Sequence, residues 1–295
     1  MPATYNDLYL DARKALKGMG VEQAQLEAQE LLCFASGKSR GEFLRDLPLY
    51  ASDEVERRFR GLLERRLKGE PVAYLIGEWE FYGLTLDVCR DVLIPRPDTE
   101  TLVERGILFV RDLPEGTRVL DLCAGSGCIG LAIADNCPNT RVILAEWWSD
   151  ALRVARQNIL RCGLSQQVSA AQVDALEAPP RLLREFDLIL CNPPYIPTLE
   201  VGRLDPSVRD YEPRIALDGG EDGLKFYRAI AKKWKCALKP GGKLIFEVGY
   251  DQAPAVRAIM AEQGFTDIQT TMDPGLHWRV VEGNTERGTD DEKVV

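Results

Sequence analysis

Short apolar runs alternate with segments of helical period from about residue 99 onward, over roughly 180 residues. This alternation favours a doubly wound parallel sheet, because each parallel strand needs a crossover helix to reach the next strand. The fold class is therefore predicted to be α/β. Strands are predicted over 118–122, 141–146, 168–173, 186–191 and 243–248. Helices are predicted over 99–111, 127–136, 150–162, 222–238 and 251–263.

The first 75 residues carry a different pattern, with apolar side chains at helical spacing. One apolar helix face stops at Gly37, and Ser39 with Glu42 then forms a capping-box pattern that begins a new helix. Aromatic and β-branched residues after about residue 72 indicate a hairpin and a proline-stiffened loop. We predict four segments: a helical bundle domain over 1–75, a hairpin and linker over 76–98, the α/β domain over 99–283 and a polar tail over 284–295.

Composition excludes several classes of protein. The net charge is −9 and its whole excess lies in 76–295, which argues against a nucleic-acid partner. The eight cysteines form no C-x-x-C pair and His277 is the single histidine, so we expect no metal site and no histidine-dependent triad. No signal peptide and no long apolar stretch is evident, so we expect a cytoplasmic protein without a membrane partner. Separately, we expect a monomer.

A glycine-rich turn over 123–127 follows the first predicted strand of the α/β domain and begins a helix. Glycines allow close approach to a ligand, and the helix start presents backbone N–H groups to it. Glu146 lies at the end of the next predicted strand, where a carboxylate can accept hydrogen bonds from both hydroxyls of a ribose. This pattern fits either a nicotinamide dinucleotide or S-adenosylmethionine.

Residues after the second and third predicted strands could contact an adenine ring. Trp147 and Trp148 follow Glu146, and we expect one of these adjacent aromatics to face the ligand while the other covers the sheet. Asp174 ends the next predicted strand, where it could bind the adenine amino group or begin a helix as its N-cap.

Asn192, Pro193, Pro194 and Tyr195 follow a strand predicted to be fully buried. The two prolines fix φ and provide no N–H group, so this turn offers acceptors: the side-chain oxygen of Asn192 and the carbonyl of Pro193. A planar NH2 group is the natural guest for two acceptors beside an aromatic face.

The two motifs are expected to share one crevice. In a doubly wound sheet the first and fourth strands lie side by side where the strand order reverses, and ligands bind at their carboxyl ends. A methyl transfer to an NH2 group needs both a cofactor turn and a rigid acceptor turn at this place.

Over nearly its whole length the chain resembles the protein N5-glutamine methyltransferases that modify class-1 peptide chain release factors. The matching segments are 77–84, 93–100, the glycine turn, 192–197, 208–213 and 217–224. The resemblance implies a helical N-terminal domain, which we assign to substrate recognition, and a Rossmann-like, seven-stranded class I domain with an antiparallel last strand. It implies S-adenosyl-L-methionine as cofactor and S-adenosyl-L-homocysteine as product. The implied substrate is the glutamine of the Gly-Gly-Gln motif of the release factor.

We assign site residues from the sequence motifs and from the family resemblance. The catalytic residues are Asn192, Pro193, Pro194 and Tyr195, and the same four with Arg96 and Pro97 bind substrate. The cofactor residues are Cys123, Ala124, Gly125, Ser126, Gly127, Glu146, Trp147, Asp174, Ala175 and Asn192. Two positions depart from the family pattern, because Glu146 stands where aspartate is usual and Ala175 where a bulkier residue is frequent.

Four other functions remain open at this point. A glutamine methyltransferase could act on a ribosomal protein, and a DNA or RNA amino-methyltransferase would use the same Asn-Pro-Pro-Tyr turn. A nicotinamide-dependent oxidoreductase would use the same glycine turn. A non-catalytic adaptor could keep the fold without the cofactor.

Overall fold

The computed structural model describes residues 2–287, and the chain divides into two compact units. The helical unit takes the residues up to Glu78 together with Asp205–Tyr211. The sheet unit takes Trp79–Leu204 and the residues from Glu212 onward. The predicted boundary near residue 75 did not anticipate that a segment from the second half of the chain groups with the helical unit.

The helical unit consists of short helices whose ends are set by local sequence signals. Its helices are α1 Tyr5–Gly18, α2 Ala24–Ser36, α3 Arg40–Asp46, α4 Asp53–Leu67 and α5 Val72–Ile76, with a one-turn helix over Pro206–Arg209. The predicted capping box is confirmed, since Ser39 accepts from the Glu42 N–H and the Glu42 carboxylate accepts from the Ser39 N–H. Gly37 ends α2 in the left-handed region, with φ of 69°. The largest fully buried side chains here are Leu8, Leu16, Leu31, Leu32, Phe43 and Phe59.

The sheet unit begins with the predicted hairpin. Strands β1 Glu78–Phe81 and β2 Leu84–Asp87 form a two-stranded sheet. Tyr82 and Gly83 both have positive φ, 47° and 80°, as a tight two-residue hairpin turn requires.

A seven-stranded sheet forms the centre of this unit and confirms the predicted fold class. Its strands are β3 Thr117–Leu122, β4 Thr140–Glu146, β5 Val168–Gln172, β6 Phe186–Cys191, β7 Leu238–Glu247, β8 Thr266–Met272 and β9 Trp278–Asn284. Their order is β5-β4-β3-β6-β7-β9-β8. The pairs from β5 to β7 are parallel, whereas β9 runs antiparallel to both of its neighbours. The strand order reverses at β3 and β6, where such sheets bind ligands.

Helices and short turns connect these strands. The helices are α6 Glu100–Val110, α7 Cys128–Asn136, α8 Ser149–Arg161, α9 Lys225–Lys233 and α10 Ala253–Glu262, with a one-turn helix over Thr198–Val201. Turns of 3-10 helix lie at Pro97–Thr99, Arg214–Ala216 and Lys235–Ala237. The helix predicted over 222–238 is therefore shorter than expected, because β7 already begins at Leu238.

The first residues of the predicted polar tail belong to the folded sheet unit. Strand β9 continues to Asn284, and the buried Thr285 donates its N–H to the Gly242 carbonyl at 2.8 Å. Residues 288–295 of the predicted tail lie outside the described residues. Among the described residues, no helix combines the length and apolar content that crossing a bilayer requires.

Candidate active site

The glycine-rich turn lies between β3 and α7, at the predicted position. Cys123, Gly125 and Gly127 all have positive φ, at 64°, 54° and 84°. A Cβ atom at Gly127 would come within 2.7 Å of a Leu144 methyl group, so only glycine fits there. A Cβ atom at Gly125 would meet nothing within 4 Å, which leaves open space over the turn. The turn is thus packed closely beneath and accessible above.

A buried carboxylate supports this turn from below. Asp121 is fully buried and its Oδ2 accepts the Gly130 N–H at 2.8 Å. Burial raises the pKa of Asp121 to about 7. The side-chain amide of Asn158 holds the turn from another side, because it donates to the Ser126 carbonyl at 2.9 Å.

Glu146 ends β4 beside the glycine turn. Its Oε2 accepts the Gly125 N–H and its Oε1 accepts the Trp148 N–H, each at 2.9 Å. Burial raises the pKa of this carboxyl group. Each carboxylate oxygen has a second lone pair, so the two backbone donors fix the side chain and leave it able to accept further hydrogen bonds.

Both tryptophans after Glu146 lie along the cavity, which differs from the expectation that one of them only covers the sheet. Trp147 is about half exposed, at 53%. Asp174 follows β5, and its Oδ1 accepts the Leu176 N–H at 2.8 Å within a turn, with no helix after it. Asp174 therefore does not act as a helix N-cap, while the neighbouring Ala175 is buried and packs in the core.

Asn192 directly follows β6, as predicted. Its amide nitrogen is 3.4 Å from the Thr99 hydroxyl oxygen. Pro193 and Pro194 are buried, and Tyr195 is partly buried against the core. Burial raises the pKa of the Tyr195 hydroxyl to about 12, so this group stays protonated at neutral pH.

A glycine loop over 218–223 holds the turn after β6 in place. The chain pairs with it through Ile196, whose N–H donates to the Leu217 carbonyl and whose carbonyl accepts the Gly219 N–H. A Cβ atom at Gly219 would lie 2.7 Å from the Tyr195 Cα atom, and one at Gly223 would lie 2.3 Å from the Tyr195 carbonyl oxygen. The loop thus needs glycines because the two backbones touch.

Arg96 lies on the cavity wall, and an ion pair anchors it. Its guanidinium pairs with Glu212, a buried acid whose other oxygen accepts the Ile94 N–H at 3.2 Å. Pro97 begins the following 3-10 turn and is not among the residues that line the cavity. Arg96 can therefore face a ligand, whereas Pro97 shapes the turn.

One cavity of about 530 Å³ joins the two predicted motifs. Of the predicted residues, those on its wall are Arg96, Cys123, Ala124, Gly125, Ser126, Glu146, Trp147, Asp174, Ala175, Asn192 and Pro194. Those not on its wall are Pro97, Gly127, Pro193 and Tyr195. Gly127 packs against Leu144, whereas Pro193 and Tyr195 belong to the turn over 192–195, which is called the clamp from here on.

Sequence reasoning missed two groups beside Asn192. Thr99 lines the cavity from the 3-10 turn, and Glu247 ends β7 with only 2% of its surface exposed. An acid at the end of a buried apolar strand was a usable signal for Glu247. Among the described residues, no group of three or more His, Cys, Asp and Glu side chains is placed to hold a metal ion.

The sheet order, the glycine turn and the cavity at the strand reversal define the class I fold of S-adenosylmethionine-dependent methyltransferases. Residues 7–77 match the family model of the PrmC N-terminal domain, and residues 103–203 match that of the methyltransferase small domain. The hMettl16 catalytic domain, solved in complex with a MAT2A 3′UTR hairpin, has a TM-score of 0.56 at 17% identity and is similar in fold alone. That match covers 72% of this chain and 79% of the other.

Two curated relatives define the family more narrowly. The release factor glutamine methyltransferase of Geobacter sulfurreducens is 43% identical, covering 92% of this chain and 93% of the relative. The one of Caulobacter vibrioides is 38% identical, covering 96% and 97%. The chain belongs to the family of release factor glutamine methyltransferases, which confirms the resemblance found in the sequence.

Proposed function

We propose that this chain transfers a methyl group from S-adenosyl-L-methionine to the side-chain amide nitrogen of the glutamine in the Gly-Gly-Gln motif of class-1 peptide chain release factors. The observation that carries the proposal is the single cavity that has the glycine turn on one side and Asn192 on the other. Family membership supplies the substrate, and the cavity supplies room for a cofactor beside a planar amide.

The residues on the cofactor side fit an adenosyl ligand. The space above Gly125 is open, and the Glu146 carboxylate keeps lone pairs for the hydroxyls of a ribose. Trp147 and Asp174 line the same cavity, and they stay the predicted apolar face for an adenine ring and acceptor for its amino group. When bound, S-adenosylmethionine supplies an electrophilic methyl group on a sulfonium and leaves as S-adenosyl-L-homocysteine.

Asn192 provides the acceptor for the substrate amide. Its own NH2 group faces Thr99, so its Oδ1, at the other end of the planar amide, faces away from Thr99. An acceptor at this point orients the substrate NH2 group and favours a pyramidal nitrogen with an available lone pair. The Pro193 carbonyl stays a predicted second acceptor, Tyr195 stays the predicted aromatic face beside the acceptors, and Pro194 stays a predicted site residue.

The chemistry needs no strong base before attack, because the extra proton leaves from a product cation that is far more acidic than an amide. Catalysis then comes mainly from positioning and from polar groups fixed in advance. The packing of Gly219 and Gly223 against the Tyr195 backbone gives the clamp this rigidity. Arg96, anchored by Glu212, is a proposed contact for the backbone next to the target glutamine.

The test uses the purified chain, S-adenosylmethionine and a full-length release factor, with peptide mass spectrometry as readout. We expect one added methyl group on the Gly-Gly-Gln glutamine. A release factor with that glutamine replaced by glutamate is the matched control and should gain no methyl group.

The same assay separates the other candidate substrates. Total ribosomal protein and duplex DNA serve as parallel substrates at the same enzyme concentration. Preferred methylation of either one, with an unmodified release factor, would overturn the proposal. Calorimetry that showed binding of NAD and not of S-adenosylmethionine would favour an oxidoreductase instead.

A further inference from the structure

Glu247 is a buried acid that the catalytic scheme above does not use. It ends β7 next to β6, and the register that pairs Phe246 with Cys191 places Glu247 beside Asn192. Its side chain is buried, and within residues 2–287 no hydrogen-bond partner reaches its Oε2. An unpartnered buried carboxylate oxygen is destabilising, so its presence beside the clamp calls for a functional reason.

The strand itself does not need this carboxyl group. The hydroxyl of Tyr227 donates to the Glu247 backbone carbonyl at 2.9 Å, so the contact that anchors this residue to α9 is a main-chain one. By contrast, Glu282 on the neighbouring β9 is equally buried and fully paired with Arg105 and Lys243. Glu282 therefore has the ordinary structural role of a buried acid, and Glu247 does not.

Several polar and titratable groups face Glu247 from the surrounding elements. They are Asp98 and Thr99 of the 3-10 turn, Cys128 of α7, Asn192 and Tyr195 after β6, Tyr227 of α9 and Arg279 of β9. Arg279 is partly neutralised by its ion pairs with Asp98 at 3.0 Å and Asp273 at 3.1 Å. Of these groups, Thr99 and Asn192 are the ones that hydrogen-bond the carboxylate through their side chains.

These donors explain how the clamp amide is oriented. The two ends of an asparagine amide have almost the same shape, so packing alone cannot decide which end faces the cavity. A carboxylate beside the amide accepts a hydrogen bond from NH2 and repels the carbonyl oxygen. We propose that Glu247 is a positioning residue that, together with Thr99, holds the NH2 end of Asn192 inward and so presents its Oδ1 to the substrate amide.

This inference rests on the proposed function and makes it dependent on pH. Burial raises the pKa of Glu247 to about 7, against the hydrogen bonds from Thr99 and Asn192 and the charge of Arg279, which lower it. Above this pKa the carboxylate accepts a hydrogen bond from the Asn192 NH2 group, so Oδ1 stays directed at the substrate. Below it the protonated acid can itself donate to Oδ1, which turns the acceptor away from the substrate, so methyl transfer falls as the pH falls through about 7.

The first experiment measures kcat for methylation of the release factor between about pH 5.5 and pH 9. The kcat of the wild type should fall as the pH falls through about 7, and this part of the profile is called the acid limb. Glu247→Gln should remove the acid limb and lower kcat at high pH roughly tenfold. Its affinity for S-adenosylmethionine should be unchanged. Glu282→Gln is the matched control, because it neutralises a buried acid that does not face the clamp, and it should keep the acid limb. An acid limb that persists unchanged in Glu247→Gln would overturn the proposal.

The second experiment exchanges the two groups. Asn192→Asp alone places two carboxyl groups against each other and should be nearly inactive. The double variant Asn192→Asp with Glu247→Gln restores one donor and one acceptor, because the new amide on β7 donates to the new carboxylate, whose other oxygen faces the substrate. We expect at least tenfold more activity than in the single variant. A double variant no more active than Asn192→Asp would contradict the assignment.

A third measurement does not alter the acid at all, and so remains decisive if the Glu247 variants do not fold. Thr99→Val removes a donor that lowers the pKa of Glu247, so the midpoint of the acid limb should move to higher pH, whereas Thr99→Ser should keep the midpoint. Equal midpoints in the two variants would overturn the proposal. A wild type that does not methylate the release factor at any pH would instead refute the proposed function.

Discussion

The two sides of the cavity are built in different ways. On the cofactor side, Glu146 ends β4 and both its carboxylate oxygens accept from backbone N–H groups close to it. On the clamp side, Glu247 ends β7 and faces the side chains of Thr99 and Asn192, with one oxygen unpartnered among the residues that the structure describes. Burial raises the pKa of both acids.

We expect this difference to separate cofactor binding from turnover. Backbone donors have fixed positions once the turn has formed, so the cofactor side is suited to hold a ligand in one geometry. Side-chain donors can reorient, so the clamp side responds to the charge of its acid. Variants on the two sides should therefore divide into those that change cofactor affinity and those that change kcat.

The largest effect is expected from Asn192→Ala on the clamp side. Removing the acceptor takes away an interaction that is strongest when the amide nitrogen becomes pyramidal, so kcat should fall by about 10²–10³-fold. The dissociation constant of S-adenosylmethionine should stay within roughly threefold, because the glycine turn and Glu146 are unchanged. Single-turnover kinetics and calorimetry measure the two quantities.

Asn136→Ala is the control for this variant. Asn136 ends α7, and its side-chain amide donates to the Ala132 carbonyl at 2.9 Å, away from the cavity. It should leave both quantities unchanged. Near-normal turnover in Asn192→Ala would refute the role assigned to the clamp.

Glu146→Gln, on the cofactor side, should weaken cofactor binding and change kcat little, which is the opposite of the result expected for Asn192→Ala. A glutamine would direct an NH2 group at one of the two backbone N–H donors, so the side chain must turn and its hydrogen bonds to a ribose weaken. We expect the dissociation constant of S-adenosylmethionine to rise by about 10–100-fold, as for loss of hydrogen bonds to a charged group, with little change in kcat at saturation. Calorimetry checks this, with Glu247→Gln as the variant that should bind normally.

Gly223→Ala tests whether the clamp depends on backbone contact. The added Cβ atom would lie 2.3 Å from the Tyr195 carbonyl oxygen, and the φ of +73° adds strain. Gly163→Ala is matched in φ, at +71°, and meets nothing within 4 Å. Both variants should lose about 1–2 kcal/mol of stability from backbone strain, and Gly223→Ala about 1–3 kcal/mol more from the close contact.

Urea unfolding and kcat together decide the outcome for this pair. The clamp should loosen only in Gly223→Ala, so only that variant should lose kcat. Equal losses of stability and activity in the two variants would contradict a close contact at the clamp.

The parts of the site that could be predicted are those fixed by local sequence. A glycine turn between a strand and a helix, an acid at the next strand end and the Asn-Pro-Pro-Tyr turn are each contained in a few consecutive residues. The rule that parallel strands end at one edge of the sheet then placed Glu146 and Asn192 at one cavity. Family resemblance added the antiparallel last strand, which no periodic pattern indicated.

The parts that could not be predicted depend on contacts between distant segments. Thr99 and Asn192 are 93 residues apart in the chain, and Glu247 reaches them only because β7 pairs with β6. Strand β8 contains mainly polar and partly exposed residues, so it has no apolar alternation to find. The short helix over Pro206–Arg209 belongs to the helical unit, a grouping that local propensity cannot indicate.

The last effect concerns the pH dependence of stability at Asp121, the buried acid beneath the glycine turn. Its ordinary pKa is 3.8, and burial raises it to about 7 in the folded chain. Between these values the folded state binds more protons than the unfolded state, so the contribution of this group to the free energy of unfolding falls as the pH rises. In Asp121→Asn the free energy of unfolding should therefore fall less steeply with rising pH, by up to about 1.4 kcal/mol per pH unit. Urea unfolding at several pH values measures this.

Glu282→Gln should change the pH dependence of the free energy of unfolding in the opposite direction, so it serves as the reference variant for this measurement. The ion pairs of Glu282 with Arg105 and Lys243 hold its pKa below the ordinary value, so its contribution is present at neutral pH and is lost as the pH falls through the acid range. Asp121→Asn should also keep the acid limb of kcat, since Asp121 supports the cofactor side alone. Loss of that limb in Asp121→Asn would mean that the cofactor side, and not Glu247, makes turnover depend on pH.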